Sequence, residues 1–141
     1  MNYQESEAFI HSFHRFTKEP GLNGIRTLLS LLGEPQKKLR FIHIAGTNGK
    51  GSTTVMCASV LREAGYRTGM VVSPYVLTFR ERIQVDGQMI PEEEIAKLCE
   101  KIQLAVEKMT QSGIAPAEFE VVTALGMLWF AKQNCDVVCL E

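Results

Sequence analysis

Residues 41–53 read FIHIAGTNGKGST, an apolar run followed by a glycine-rich turn that ends in two hydroxyl residues. The apolar run, Phe41–Ala45, predicts a short buried strand, and residues 53–64, closed by Gly65, predict a helix. Glycines let backbone N–H groups turn toward an anion, and a helix start adds unpaired N–H groups and partial positive charge. Strand, glycine loop and helix in this order predict a phosphate-binding loop, in which Lys50 would contact the β and γ phosphates of a nucleotide.

The loop departs from the pattern GxxxxGK[ST] in two places. Ile44 stands where the first glycine is expected, and Gly51 takes the position of the hydroxyl residue after Lys50. The hydroxyls are displaced to Ser52 and Thr53, and Ser52 is a candidate ligand of Mg²⁺. A glycine-rich turn with a merely solvated lysine is the alternative, which fits less well with a strand and a helix on either side.

The rest of the chain alternates strand-like and helix-like patterns. Strand-like runs cover residues 67–72 and 136–140, and Asp86-Gly87 predicts a hairpin turn between residues 82–85 and 88–90. Apolar residues at helical spacing cover residues 5–16, 25–32, 91–109 and 119–131. This alternation predicts an α/β domain with a mostly parallel sheet flanked by helices.

Composition and charge exclude several classes of protein. The 141 residues carry 15 basic and 16 acidic side chains without a polybasic run, which argues against binding to nucleic acid or to an anionic membrane surface. No signal-peptide pattern is visible, and no apolar stretch approaches the ~18 residues that span a bilayer. The four cysteines form no CxxC pair, which predicts buried, reduced thiols in a cytoplasmic protein.

Several stretches of the chain resemble the folylpolyglutamate synthase and dihydrofolate synthase family, which is related to the Mur ligases. They are IHIAGTNGKGST at residues 42–53, VVSPYVLTFRERI at 71–83, and FEVVTALGMLWFA followed by CDVVCLE within 119–141, with GLNGIRTLLSLLGEPQKKLR before the loop at 21–40. The resemblance implies a partial Mur-ligase-type ATPase domain. Residues 1–141 would be the N-terminal part of that domain, without its remainder and without the family's C-terminal glutamate-binding domain.

The family implies an ATP- and Mg²⁺-dependent acid–amino-acid ligase of folate biosynthesis and one-carbon metabolism. A carboxylate of the folate substrate, dihydropteroate or tetrahydrofolate, would take the γ-phosphoryl group of ATP as an acyl phosphate, and the amine of L-glutamate would displace phosphate. Phosphorylation is needed because a carboxylate is a poor electrophile without a leaving group. Lys50 is the candidate catalytic residue, since it neutralises charge where two anions must meet.

The resemblance also implies the residues of the site. The triphosphate would be held by the glycine loop, which comprises Gly46, Thr47, Asn48, Gly49, Lys50, Gly51, Ser52 and Thr53. Ser73 and Glu141 would join Ser52 as Mg²⁺ ligands, and both lie at the carboxyl ends of predicted strands. Ser73-Pro74 is also a common turn pair, and this chain has Tyr75 where the family usually has a histidine.

Two further charged residues are candidate contacts of the folate substrate. Glu120 is either directed at the site or a solvated helix-capping acid, and Arg82 is either a substrate contact or part of an exposed charge cluster. His43, on the first strand, is more typical of a packed core histidine than of a ligand.

Without the family's downstream segments, we expect the 141-residue chain to be inactive alone and the complete enzyme to be a monomer. Apolar surface on the helix predicted at residues 119–131 would favour self-association of the shorter chain. The alternative function is a non-catalytic nucleotide-binding module or truncated remnant. A small phosphate-loop kinase is disfavoured by the displaced hydroxyl.

Overall fold

The computed structural model describes residues 1–14 and 21–141, which fall into two units. We call residues 1–36 and 92–128 the helical unit, and residues 37–91 and 129–141 the sheet unit. The helices are α1 (Tyr3–His11), α2 (Asn23–Leu31), α3 (Lys50–Glu63), α4 (Glu92–Gln111) and α5 (Glu118–Lys132). The strands are β1 (Phe41–His43), β2 (Thr68–Val71), β3 (Ile83–Val85), β4 (Gln88–Met89) and β5 (Val137–Leu140).

In the helical unit, α1 and α2 pack on α4. Helix α1 begins at a capping box formed by Asn2 and Glu5 and ends at His11, earlier than the predicted residue 16, which lies outside the described residues. Helix α4 follows Pro91 as predicted, with three glutamates in its first turn, where the positive end of the helix dipole stabilises them. Its apolar stripe is buried and comprises Ile95, Leu98, Cys99, Ile102, Ala105, Val106 and Met109.

Helix α5 is buried on nearly every side, as its sequence predicts. Val121, Val122, Leu125 and Phe130 are fully buried, whereas Phe119 is half exposed. The expectation that this helix exposes a large apolar surface is therefore wrong. None of the helices among the described residues has the length and apolar character needed to cross a membrane.

The sheet unit holds a five-stranded mixed sheet, counted over the described residues, with the strand order β1-β5-β2-β3-β4. Strands β1, β5 and β2 are parallel, while β3 and β4 form the predicted antiparallel hairpin beside β2. Asp86 and Gly87 both have positive φ, 50° and 78°, the requirement of a tight hairpin turn. The α/β class is confirmed, with the antiparallel hairpin added to its parallel strands.

Opposite faces of β2 meet different helices. Met70 lies on the face covered by α3, where it lines a cavity together with α3 residues. Gly69, its neighbour, points to the other face because side chains alternate along a strand, and the ring of Phe130 in α5 fills the space beside it. The sheet is therefore packed on both sides within its own unit.

Strand β1 is shorter and more exposed than predicted. Phe41 and Ile42 are 38% and 39% exposed. Strand β1 is an edge strand, because it pairs with β5 alone among the described strands. His43 is exposed as well, so the expectation of a packed core histidine is wrong.

The cysteines mostly follow the prediction of buried thiols. Cys99, Cys135 and Cys139 are buried, and Cys57 is half-buried. Burial raises the pKa of the Cys99 thiol to about 12, so it stays protonated at neutral pH.

Candidate functional site

The glycine loop, residues 46–53, begins where β1 and β5 end. The N–H of Ile44 donates to the carbonyl of Leu140 at 2.8 Å, which extends the parallel ladder to the edge of the loop. Gly46 and Gly49 have φ of 152° and 75°, values that L side chains rarely adopt. Nothing lies within 4 Å of a Cβ placed on Gly49, so this part of the loop is open to solvent.

Helix α3 starts at Lys50, three residues earlier than predicted. Gly49 is the N-cap in the left-handed conformation, and the N–H of Thr53 donates to its carbonyl at 3.0 Å. The N–H groups of residues 50–52 precede this first helical hydrogen bond, so the helix itself leaves them without an acceptor. The prediction missed these residues because Gly51 and Ser52 have low helix propensity, which the turn at Gly49 overrides.

The stem of the Lys50 side chain lies beside the first glycine of the loop. Its Cγ lies 3.9 Å from the Cβ position of Gly46, and the residue is half-buried while most of the loop is exposed. Lys50 and the first turn of α3 thus lie next to the same short segment, residues 46–49. This arrangement can stabilise an anion by charge and by backbone hydrogen bonds together.

Ser73 and Glu141 lie at the same edge of the sheet as the loop. The N–H of Ser73 donates to Oε2 of Glu141 at 3.3 Å, and the same oxygen lies 3.8 Å from the Cβ position of Gly51. The N–H of Glu141 donates to the carbonyl of Val71 at 3.2 Å, which places the residue directly beyond the parallel strands. The structure therefore brings Gly51, Ser73 and Glu141 together.

The predicted oxygen donors are the Glu141 carboxylate and the hydroxyls of Ser73 and Ser52; the structure brings Glu141 and Ser73 together, and Ser52 lies in the first turn of α3. Oxygen donors of this kind suit Mg²⁺, which keeps several water ligands and needs few from protein. Across residues 1–14 and 21–141, no group of three or more His, Cys, Asp or Glu side chains could hold a metal by itself. The residues fit a metal that shares its coordination with phosphate and water better than a closed protein cage.

Glu120 lies in the helical unit, where it caps a helix. Its Oε1 accepts a hydrogen bond from the N–H of Ala117 at 2.9 Å, just before α5 begins. The carboxylate also lies against Gly24 in the first turn of α2, with Oε1 2.8 Å from the Cβ position. Glu120 is only 9% exposed, so it is a capping acid as one alternative held, but a buried one and not a solvated one.

Arg82 makes a packing contact within the sheet unit. Its guanidinium carbon lies 5.6 Å from the centre of the Phe79 ring, within the range of a cation–π interaction. Both residues belong to a short 3₁₀ helix, Phe79–Arg82, and Phe79 is buried. Arg82 is half-buried, so the alternative of a fully exposed charge cluster does not hold.

A cavity of about 140 Å³ lies apart from the loop, between α3 and the β3–β4 hairpin. Its lining includes Arg62 near the end of α3, Thr68 at the start of β2 and the Asp86-Gly87 turn. These residues mark the amino end of β2, whereas Ser73 follows its carboxyl end. The cavity therefore takes no part in the site at the loop.

Sequence reasoning missed Glu81, whose carboxylate accepts three backbone hydrogen bonds from residues 76–78. The sequence does indicate a role for Glu81, because Thr78 and Glu81 have the spacing of a capping box. The structure shows both hydrogen bonds of that capping box. The residue lies in the segment that connects Ser73 to the 3₁₀ helix.

The parallel strands, the left-handed glycines and the lysine at the helix start define an α/β domain with a glycine loop of the kind that can bind phosphate. No family model matches the chain. The dihydrofolate synthase/folylpolyglutamate synthase of Bacillus subtilis is 44% identical over 141 residues, covering 99% of this chain and 33% of that protein. The apo form of L. casei folylpolyglutamate synthase superposes with a TM-score of 0.94 at 40% identity, covering 100% of this chain and 35% of that one. A folylpolyglutamate synthase in complex with AMPPCP and folate superposes with a TM-score of 0.94 at 39% identity. The match covers 100% of this chain and 35% of that one.

The chain is homologous over its whole length to the N-terminal third of the folylpolyglutamate and dihydrofolate synthases. It spans about a third of the length of the relatives it matches.

Proposed function

We propose that the protein takes part in the ATP-dependent addition of glutamate to folates, and that residues 1–141 form the N-terminal part of its ATP-binding domain. The observation that carries the proposal is the loop at residues 46–53, which turns through positive-φ glycines, with the stem of Lys50 beside Gly46 and the Glu141 carboxylate beside Gly51. A related synthase with the same fold has been solved with AMPPCP and folate. The free, mostly buried cysteines support a cytoplasmic location for the protein.

In this proposal the loop holds the triphosphate of ATP. The N–H groups at the start of α3 donate to phosphate oxygens, and the ammonium group of Lys50 neutralises charge that builds up on the γ phosphate. The turn at Gly46 and Gly49 sets the direction of the backbone donors, and Lys50 is the first residue of the helix that follows it. Phosphoryl transfer depends mainly on such positioning and charge stabilisation.

Ser52, Ser73 and Glu141 would hold Mg²⁺. The ion would neutralise charge on the phosphates when it is bound. Glu141 supplies the one carboxylate of the set, and its hydrogen bond with the N–H of Ser73 fixes it beside the loop. We propose that two substrates meet at this edge of the sheet: the carboxylate of dihydropteroate or tetrahydrofolate, and L-glutamate. Further contacts would come from polypeptide that corresponds to the other two-thirds of the relatives.

Calorimetric titration of the 141-residue chain with AMPPCP and Mg²⁺ tests the proposal. Lys50→Ala removes a charge-assisted phosphate contact, so we expect affinity to fall about 10- to 100-fold. Lys101→Ala is the matched control, because Lys101 is an exposed lysine of α4 in the helical unit. We expect it to leave the affinity unchanged. Equal affinity of the wild type and the Lys50 variant, or no binding by the wild type, would contradict the proposal.

A further inference from the structure

The carboxylate of Glu81 is surrounded by backbone N–H groups of a single segment. Its Oε1 accepts from Val76 at 3.0 Å, and its Oε2 accepts from Leu77 and Thr78 at 2.8 Å each. These hydrogen bonds hold the pKa of Glu81 below its usual value, because they stabilise the charged form. Residues 76–78 therefore wrap around one carboxylate whose charged form they stabilise.

Side-chain packing contributes little to the order of this segment. Val76 and Leu77 are 86% and 89% exposed, so their side chains bury almost nothing. Tyr75 is partly anchored, with its ring edge-on to that of Phe79 at 6.2 Å between centres. Because ordering a backbone costs conformational entropy that burial usually offsets, the hydrogen bonds to Glu81 must hold the segment.

The arginines on either side of Glu81 make other contacts. Nε of Arg80 donates to the carbonyl of Ile90 at 2.8 Å, and the guanidinium of Arg82 lies over the Phe79 ring. The three strong contacts of the Glu81 carboxylate are all with the backbone of its own loop. Its role is consequently to shape that loop.

The loop connects directly to the proposed metal-binding edge. Ser73 lies three residues before Val76, and its N–H donates to the carboxylate of Glu141 next to Gly51. The connecting residues are thus fixed at two points, by Glu141 at Ser73 and by Glu81 at residues 76–78. Val72, just before Ser73, is held separately because its N–H donates to the carbonyl of Arg82 at 3.0 Å. Releasing the second point would therefore free residues 74–78 and, through them, the path of the chain as it leaves Ser73.

We propose that Glu81 is a positioning residue, which fixes residues 74–78 and thereby holds Ser73 beside Glu141 at the edge of the phosphate loop. The inference rests on the proposed function, in which Ser73 and Glu141 hold the Mg²⁺ that accompanies the nucleotide. Glu81 contacts neither the metal nor the nucleotide in this scheme. Its loss should therefore reduce the contribution of Mg²⁺ to binding and leave the contacts of the phosphate loop itself intact.

Two substitutions and a control test this role in the 141-residue chain. Glu81→Gln keeps the shape and removes the charge, and Glu81→Asp keeps the charge on a shorter side chain that cannot reach all three N–H groups. Glu107→Gln, an exposed glutamate of α4, is the matched control. The measurements are amide hydrogen exchange of residues 76–78 by NMR, and calorimetric affinity for AMPPCP with and without Mg²⁺.

In Glu81→Gln we expect exchange at residues 76–78 to accelerate about tenfold or more, because hydrogen bonds to a charged acceptor are lost. The gain in AMPPCP affinity that Mg²⁺ gives to the wild type should shrink about fivefold, while affinity without Mg²⁺ stays the same. In both measurements, Glu81→Asp should give values between those of the wild type and Glu81→Gln. It serves as the test if Glu81→Gln does not fold. The control should match the wild type in both measurements.

The proposal is overturned if wild type and both Glu81 variants gain equally from Mg²⁺, whether or not the amides exchange faster. It is also overturned if affinity falls equally with and without Mg²⁺, since the effect would then be general. A wild type that binds no AMPPCP at all refutes the proposed function, and the positioning role with it. That outcome is distinguishable because it appears before any substitution is made.

Discussion

Glycines serve opposite purposes in the packed regions and in the glycine loop of this protein. Gly69 and Gly24 are glycines because the space beside them is full: ring atoms of Phe130 lie 2.7–3.0 Å from one Cβ position, and the Glu120 carboxylate lies 2.8 Å from the other. Gly49 has nothing within 4 Å, and its φ of 75° is the reason for the residue. Space is filled where the chain packs and left open where a ligand would bind.

Gly69→Ala should have the largest effect on stability. The new methyl group would overlap the ring of Phe130, which is fully buried and cannot move aside. We expect the free energy of unfolding in urea to fall by about 2–3 kcal/mol. A loss below about 0.5 kcal/mol would show that small backbone shifts relieve the close approach. Lack of space would then not be the reason for glycine at position 69.

The pair Gly24 and Glu120 should show strong coupling. Gly24→Ala displaces a buried capping carboxylate, and we expect it to cost about 1–2 kcal/mol of unfolding free energy. In a Glu120→Ala background the space is vacant, so the same change should cost almost nothing. A double-mutant cycle measures this difference. Additive effects would mean that the two residues do not compete for the same space.

Gly49→Ala should cost about 1 kcal/mol, entirely through backbone strain. Alanine disfavours the left-handed conformation, and no neighbour obstructs its methyl group. Urea unfolding gives the loss of stability, and AMPPCP titration shows whether the turn that aims the α3 N–H groups is kept. Unchanged stability would argue that the loop adopts another conformation in solution.

Gly51→Ala should have the smallest effect, and of the opposite sign. Gly51 is the second residue of α3, and outside the helix backbone the nearest atom to its Cβ position is the Glu141 carboxylate oxygen at 3.8 Å, an ordinary contact. Alanine is the better helix former, so we expect a gain of about 0.5 kcal/mol. A loss of stability in the same urea measurement would indicate that Glu141 lies closer to the loop than described.

Local chemistry was enough to predict the parts of the fold that depend on neighbouring residues. The Asp86-Gly87 hairpin, the glycine loop and the acidic start of α4 each follow from a few adjacent residues, and each was confirmed. The early start of α3 was missed because Gly49 sets the turn against the helix propensity of the residues after it.

Features that depend on distant contacts could not be predicted. The exposure of β1 follows from its place at the sheet edge, which the composition of Phe41–Ala45 does not encode. Glu120 and Gly24 are far apart in the chain, so nothing local indicates that one fills the space beside the other. The role of each predicted ligand at the loop stays a prediction, although the structure places Ser73 and Glu141 together.

In the proposed function, residues 46–53 hold the phosphates of a nucleotide. The most direct measurement is an NMR titration of the ¹⁵N-labelled chain with AMPPCP and Mg²⁺, following the backbone amides. We expect saturable shifts that are largest at Gly46–Thr53 and extend to Ser73 and Glu141. Shifts confined to the helical unit, or none at saturating nucleotide, would contradict it.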